Sequence, residues 1–395
     1  MVSELKQSSS GRNGIIVLTH KERQLLKSKN KVVVEILDKL HRQNLIGMHW
    51  GHYTRSIPKI PFVDFHLASP GTIGKGHNTI QNWISLSSRN FVDPIFFSKD
   101  KLPRKWDILY VCRALKLKNI HEMFLIARKL LDLNHSFSIL LQINAPLNFK
   151  NLRGYYAEIQ NDYENMFSVQ DRSLVKLNFI VSNDIFPIAT EDIAALMRQS
   201  RIVALLSNRE GESRVISEAL ASNCWILCKS RLKGGGRDLL STQNSIQFSD
   251  LDECVHKLIA NKAFSQPKIE PSIVEAIHPS ISTPFLRSQL ERLLEKRQLD
   301  IGNGWQLTNL DRKLPSHTSS LGNILGISQT DDLKTEIDLL KYACSILNEN
   351  HNTMISEFLK YELILQSRFT HVLRNRFLMA YSKIGAAIGK KLYRY

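Results

Sequence analysis

The chain has 395 residues with 43% hydrophobic and 8% aromatic side chains, enough for two or three domains with ordinary soluble cores. Its 53 Lys and Arg against 37 Asp and Glu give a net charge of +16, which favours anionic partners: a phosphorylated substrate, an acidic membrane surface or nucleic acid. No run approaches the roughly 18 consecutive apolar residues of a membrane span, and "MVSELKQSSSGRNG" lacks the apolar centre of a signal peptide, so the expected location is the cytosol.

Along residues 1–99, "GIIVLTH" reads as a strand, "KVVVEILDKLHRQNL" as a helix, and "IGMHWGHY" and "PFVDFHLA" as two short strands with loops. "SPGTIGKGHNT" (69–79) does not match a nucleotide-binding phosphate loop and reads as a flexible turn. From residue 107 the pattern is regular. "DILYVC" (107–112), "FSILLQI" (137–143), "LVKLNFIV" (174–181), "RIVALLS" (201–207), "CWILC" (224–228) and "SIQF" (245–248) are expected strands. Between them lie helical segments: "NIHEMFLIARKLLDL", "GYYAEIQNDYENMF", "TEDIAALMRQS" with Thr190 as its N-cap, "ESRVISEALAS", "GGGRDLL" and "DLDECVHKLIAN". This alternation predicts an α/β fold, a doubly wound Rossmann-like parallel sheet covered on both faces.

The expected divisions are a small α/β region over 1–99, the Rossmann-like domain over 100–275, a closing helix over 276–300, a Gly-, Asn-, Ser- and Pro-rich linker over 301–330, and a basic helical tail over 331–395. In the tail, Leu333, Ile337, Leu340, Cys344 and Leu347 alternate at four and three, as in a coiled coil or helical hairpin. Residues 360–395 are rich in Lys and Arg, with Glu362 the single acid. Such a tail suits an anionic membrane surface, a partner helix or a second copy of the chain. The five cysteines are scattered, which indicates reduced thiols. Cys224 and Cys228 flank a strand with no His or Cys pair nearby, so no zinc site is expected, and no nucleic-acid motif stands out.

The chemistry concentrates in "SNREGESRVISEALASNCWIL". In a doubly wound sheet, ligands bind beyond the carboxyl ends of the strands, where helix N-termini point in. Glu210 is expected on the turn after a strand, Glu218 two turns into the next helix, and the amides near Glu212–Val215 face an anion. After the first strand of the domain, Arg113 and Lys118 approach the same crevice, and two cations beside a helix end suit a diphosphate without a metal.

"ILYVCRALKLKNI" together with that segment resembles the C-terminal domain of retaining glycosyltransferases of family 4, which have the GT-B fold; "RNFVDPIFF" (89–97) is similar to the family's interdomain segment, keeping Asn90, Val92 and Asp93. The resemblance spans roughly 88–260 and rests on several motifs in order. It implies transfer of a sugar from a nucleotide-diphosphate donor, with no cofactor and no metal, to a glycan or a lipid-linked saccharide. Arg113 and Lys118 would hold the diphosphate and Glu210 would face the donor sugar as the catalytic group. Glu218 would take the ribose hydroxyls, and Ser207, Gly211, Ser213 and Arg214 would complete the donor cradle. A histidine of the N-terminal region, with His66 first among His49, His52, His66 and His77, would approach the sugar. The sequence departs from the family at Cys112, Asn119 and Asn223, where glycine is usual, and at Glu212 and Ser213, where Phe-Gly is common. Fewer than 100 residues precede the interdomain segment, so the N-terminal domain is reduced or the chain begins partway through one. The other reading is a non-catalytic protein that keeps the donor-binding half and assembles with a glycan-synthesis partner through its tail.

Overall fold

The computed structural model describes residues 2–6, 13–19, 26, 31–51, 53–54, 57, 59–73, 82–98, 102–147, 149–184, 187–260 and 266–302. The linker, all but its first two residues, and the tail over 331–395 lie outside the described residues, as do His52 and His77. The chain divides into two units. Residues 1–29 with 37–318 hold every described strand, and 30–36 with 319–395 make the other.

In chain order the elements are β1 (Val2–Lys6), β2 (Gly14–Thr19), α1 (Lys31–Gln43), β3 (Asn44–His49), β4 (Phe65–Leu67), β5 (Trp83–Ile84), α2 (Pro94–Phe97), β6 (Trp106–Arg113), α3 (Ile120–Asp132), β7 (Ile139–Pro146), α4 (Arg153–Met166), α5 (Asp171–Leu174), β8 (Val175–Ser182), α6 (Thr190–Arg198), β9 (Ser200–Leu205), β10 (Arg209–Glu212), α7 (Arg214–Ala221), β11 (Trp225–Lys229), β12 (Lys233–Gly235), β13 (Ser245–Phe248), α8 (Leu251–Ala260), α9 (Pro271–Ile277) and α10 (Pro279–Arg297).

The main sheet has six parallel strands in the order β8–β7–β6–β9–β11–β13. Numbered from β6, that is 3-2-1-4-5-6, the doubly wound Rossmann order. The apolar runs behave as their composition requires. Every residue of β7 is buried, because helices cover both faces of the sheet. Alternate residues of β6 serve opposite sides. Ile108 and Tyr110 pack with Phe124 and Leu130 of α3, Tyr163 of α4 and Leu258 of α8, whereas Leu109 joins Met197 of α6 and Ile216 and Leu220 of α7. In the edge strand β8, covered less, only Val175 is buried and the other residues are half-buried or exposed.

The helix N-cap read at Thr190 falls one residue earlier, at Ala189, and makes no side-chain capping bond. Two other expectations change. Arg209–Glu212, read as a loop, is strand β10; of the glycines read as opening a helix, Gly234 and Gly235 belong to β12, which pairs with β10 in parallel, and Gly236 caps a single 3-10 turn over Arg237–Leu239. "REGE" has no apolar residue to announce a strand, so tertiary pairing overrides local preference.

Residues 2–84 build a second sheet, β1–β2–β3–β4–β5, parallel except for β1 against β2. Its core of Ile15, Val17, Leu45, Phe65 and Leu67 is completed by Leu286, Leu290 and Leu294 of α10. Those leucines recur every four residues and so share one helix stripe, and burying each contributes about 1.5–3 kcal/mol. The end of α10 is fastened to the same sheet: Arg297 donates to the His41 carbonyl at 2.7 Å and pairs with Asp64, whose other oxygen accepts from the Ile46 amide at 2.8 Å.

Candidate functional site

The strand order reverses between β6 and β9, which are hydrogen-bonded neighbours. The turns after these two strands, 114–119 and 206–213, therefore flank one crevice at the carboxyl edge of the sheet. Arg113 closes β6. Lys118 ends a 3-10 turn whose geometry is fixed from both sides: the Tyr110 hydroxyl donates to the Lys118 carbonyl, and Asn119 adopts φ 56°, ψ 48° while its side-chain amide donates to the Leu206 carbonyl at 2.8 Å. Asn is one of the few residues other than glycine that enter this left-handed region readily.

Across the crevice, Lys118 Nζ lies 2.5 Å from Glu210 Oε1, and the two side chains are only 16% and 12% exposed. The pair joins the two turns directly. Cys112 sits among the same charges. Burial pushes its thiol up to about 12, with Lys118 and Arg113 drawing it down and Glu210 adding to the rise. So Arg113, Lys118 and Glu210 gather at the end of β6.

Ser207, just beyond β9, is fully buried, and its hydroxyl has no hydrogen-bond partner. Ser213 stands at the N-cap position of α7, buried, with no side-chain capping bond. The Gly211 carbonyl lies 3.4 Å from the Thr72 hydroxyl oxygen. Glu218 is buried on α7, where Arg214 one turn earlier holds its Oε1 at 2.9 Å. Burial raises the Glu218 carboxyl above its ordinary range, and Arg214 draws it partly back.

The triple glycine supplies close approach. Gly234 has φ +116°, and a Cβ there would fall 1.9 Å from the Glu210 carbonyl oxygen. The β10–β12 pairing, and with it the position of Glu210, needs glycine here.

His66 is held by Trp50. Its Nδ1 accepts from the Trp50 indole at 3.1 Å, and burial pushes the ring down to about 4. His49, at the end of β3, is the N-terminal histidine on which Glu212 acts electrostatically, opposing the fall that burial imposes. The sequence does not single it out from its neighbours. Nor does it reveal that Glu212 turns towards the N-terminal sheet, where Ser69 and Thr72 hold it. Among the described residues no cluster of three His, Cys, Asp or Glu side chains suits a metal, and no helix is long and apolar enough to cross a membrane.

No protein-family model matches the chain, and no curated protein matches it in sequence. Several solved structures are similar to it. The GtfA/B complex is 13% identical, with 67% of this chain and 56% of that one covered and a TM-score of 0.43. The pneumococcal O-GlcNAc transferase GtfA, in complex with UDP and GlcNAc, is 12% identical over 67% of this chain and 54% of that one, with a TM-score of 0.40. The trehalose-6-phosphate synthase OtsA is 13% identical over 67% and 70%, with a TM-score of 0.46. This chain thus spans little more than half the length of the two Gtf structures.

Proposed function

We propose that the protein is a retaining glycosyltransferase that takes a sugar from a nucleotide-diphosphate donor and passes it to a glycan or lipid-linked acceptor. The observation that carries this reading is the Lys118–Glu210 pair bridging the two turns at the switch point, with Arg113 near it and Ser207, its buried hydroxyl unpartnered, at the start of the second turn. That set suits a sugar on a diphosphate. Arg113 and Lys118 neutralise the phosphate oxygens and stabilise the charge that builds on them as the glycosidic bond breaks. The Ser207 hydroxyl and the first turn of α7, with Gly211, Ser213 and Arg214, face the same group. Glu210, fixed by Lys118, is placed for the sugar hydroxyls. Glu218 would take the ribose hydroxyls. The departing diphosphate takes the acceptor's proton, so the scheme needs neither a metal nor a separate base.

The test is a thermal-shift screen of the full chain against UDP-, GDP- and ADP-sugars. A donor at about 100 times its dissociation constant stabilises the fold by about 2.7 kcal/mol. At least one donor should raise the melting temperature, and Arg113→Ala should abolish the rise. Glu210→Ala should then remove turnover. The proposal fails if no nucleotide sugar shifts melting, or if the shift survives Arg113→Ala combined with Lys118→Ala. Binding without turnover leaves the assembly reading.

A further inference from the structure

Glu212 stands two residues beyond Glu210 on β10, yet its side chain is held by the N-terminal sheet. Its Oε1 accepts from the Ser69 amide at 3.2 Å, the Ser69 hydroxyl at 3.2 Å and the Thr72 hydroxyl at 2.5 Å. The two hydroxyls lie 2.7 Å apart, and Ser69 and Thr72 are fully buried. Each hydroxyl has one proton to give. The carboxylate is therefore what lets both be satisfied at once, Thr72 giving its proton to Glu212 and Ser69 to Glu212 or Thr72. The backbones touch as well. A Cβ on Gly71 would fall 2.4 Å from the Gly234 carbonyl, so the 69–72 turn lies directly on β12, the partner of β10.

The contact is one-sided. Oε1 takes up to three hydrogen bonds, whereas Oε2 of the same carboxylate is buried with no partner, as is Nε2 of His49. Bare buried polar atoms oppose closure, and opening returns both to water. The three hydrogen bonds to Oε1 are therefore what holds the contact against the cost of the two orphaned atoms.

We propose that Glu212 is a positioning residue, a latch through which the 69–72 turn of the N-terminal sheet holds β10, and with it Glu210, in place beside the switch-point crevice. What Glu210 does there rests on the function proposed above; the latch itself does not. It commits the unusual acid after Gly211 to the neighbouring sheet and not to the ligand.

Hydrogen exchange on the full chain, read by mass spectrometry, tests this, because the Ser69 amide donates to Glu212 and is its own reporter. Glu212→Ala should speed exchange over 69–73 and 209–213 on the order of tenfold, as expected of a local opening. Glu212→Gln, whose carboxamide oxygen still accepts from the same three donors, should keep most of the protection. Ser69→Ala combined with Thr72→Val should reproduce the Glu212→Ala pattern, and carries the test should Glu212→Ala fail to fold. With a donor that is turned over, Glu212→Ala should lower kcat while leaving the donor KM nearly unchanged, and Glu212→Gln should restore kcat. Equal exchange in the wild type and in Glu212→Ala, or in the wild type and the double variant, overturns the latch, as does a Gln variant that opens as freely as the Ala one. A wild type that no nucleotide sugar stabilises defeats the transferase reading instead, and the exchange pattern still decides the latch.

Discussion

His66 shows how a buried polar side chain can be structural. Its Nδ1 accepts the Trp50 N–H, so the ring must be neutral with its proton on Nε2. Burial pushes its pKa down to about 4, below the ordinary value near 6.5 that the unfolded chain regains. The unfolded state therefore binds a proton in a range where the folded state does not. Stability is complete above about pH 6.5 and is lost as pH falls towards 4, by roughly 1–3 kcal/mol. His66→Gln, whose amide oxygen can take the same N–H, should flatten this part of the curve in urea unfolding measured from pH 7.5 to 4.5. Matching slopes in variant and wild type would sink the argument. Lys118 and Glu210 lend themselves to a different measurement. Both side chains are more than four-fifths buried, so removing one strands the other. Lys118→Met should destabilise more than Lys118→Met combined with Glu210→Gln, with a coupling of about 1–3 kcal/mol, above the roughly 0–1 kcal/mol of an exposed pair. Melting temperatures of the two singles and the double decide it, and additive losses would show that the ion pair is incidental.

At the scale of elements, the strands legible in the sequence are those whose environment is uniform. β7 and β9 are announced by the apolar runs at 139–141 and 202–205, as expected of a sheet covered on both sides. Asn119 and Asn223 are readable for a related reason: both stand at positive φ, 56° and 61°, where only glycine or a short polar side chain sits easily. Arg113, at the end of β6, and Lys118, Ser207 and Glu210, within a few residues of β6 or β9, are legible because those two strands are, and the reversal of strand order makes the strands neighbours. β10 and β12 cannot be read, since a four-residue polar segment paired with three residues owes its form to its partner. β4 falls within "PFVDFHLA", which reads as a strand, whereas β5, two residues long, is shorter than any window in which periodicity shows. Gly234 is where this dependence can be probed. An alanine there meets both a forbidding φ and the Glu210 carbonyl, so Gly234→Ala should cost about 2–4 kcal/mol and displace Glu210. The exposed Gly154 in α4, whose added Cβ would touch nothing, should instead gain about 0.5–1 kcal/mol as alanine. Thermal unfolding of both variants checks the contrast, and a Gly234→Ala protein as stable as the wild type would mean that the β10–β12 pairing does not constrain the turn.

Over the whole first unit, the contacts that matter most join residues too far apart for any sequence window. Glu212 reaches Thr72 across 140 positions, and α10 supplies the third wall of a core begun at Ile15. The segment 88–93 makes a further connection. Asn90 donates to the Ala276 carbonyl at 2.6 Å, the Val92 amide donates to the Ile277 carbonyl at 3.1 Å, and Arg89 reaches Asp238 with both terminal nitrogens, at 2.8 and 2.6 Å. The resemblance marks Asn90, Val92 and Asp93, but Arg89 is the charge that ties the segment to the turn after β12. Its partners are unequal: the Arg89 side chain is 3% exposed and that of Asp238 37%. Removing either breaks the same two hydrogen bonds, yet the losses should differ. Asp238→Ala strands a guanidinium in the interior, which costs about 3–5 kcal/mol. Arg89→Met fills most of the volume with an apolar chain and leaves a carboxylate that water can reach, so the loss should be nearer 1–2 kcal/mol. Melting temperatures should therefore fall in the order wild type, Arg89→Met, Asp238→Ala. If Arg89→Met proves the more damaging, the stabilisation comes from the packing of the arginine stem, and the charge pairing is secondary.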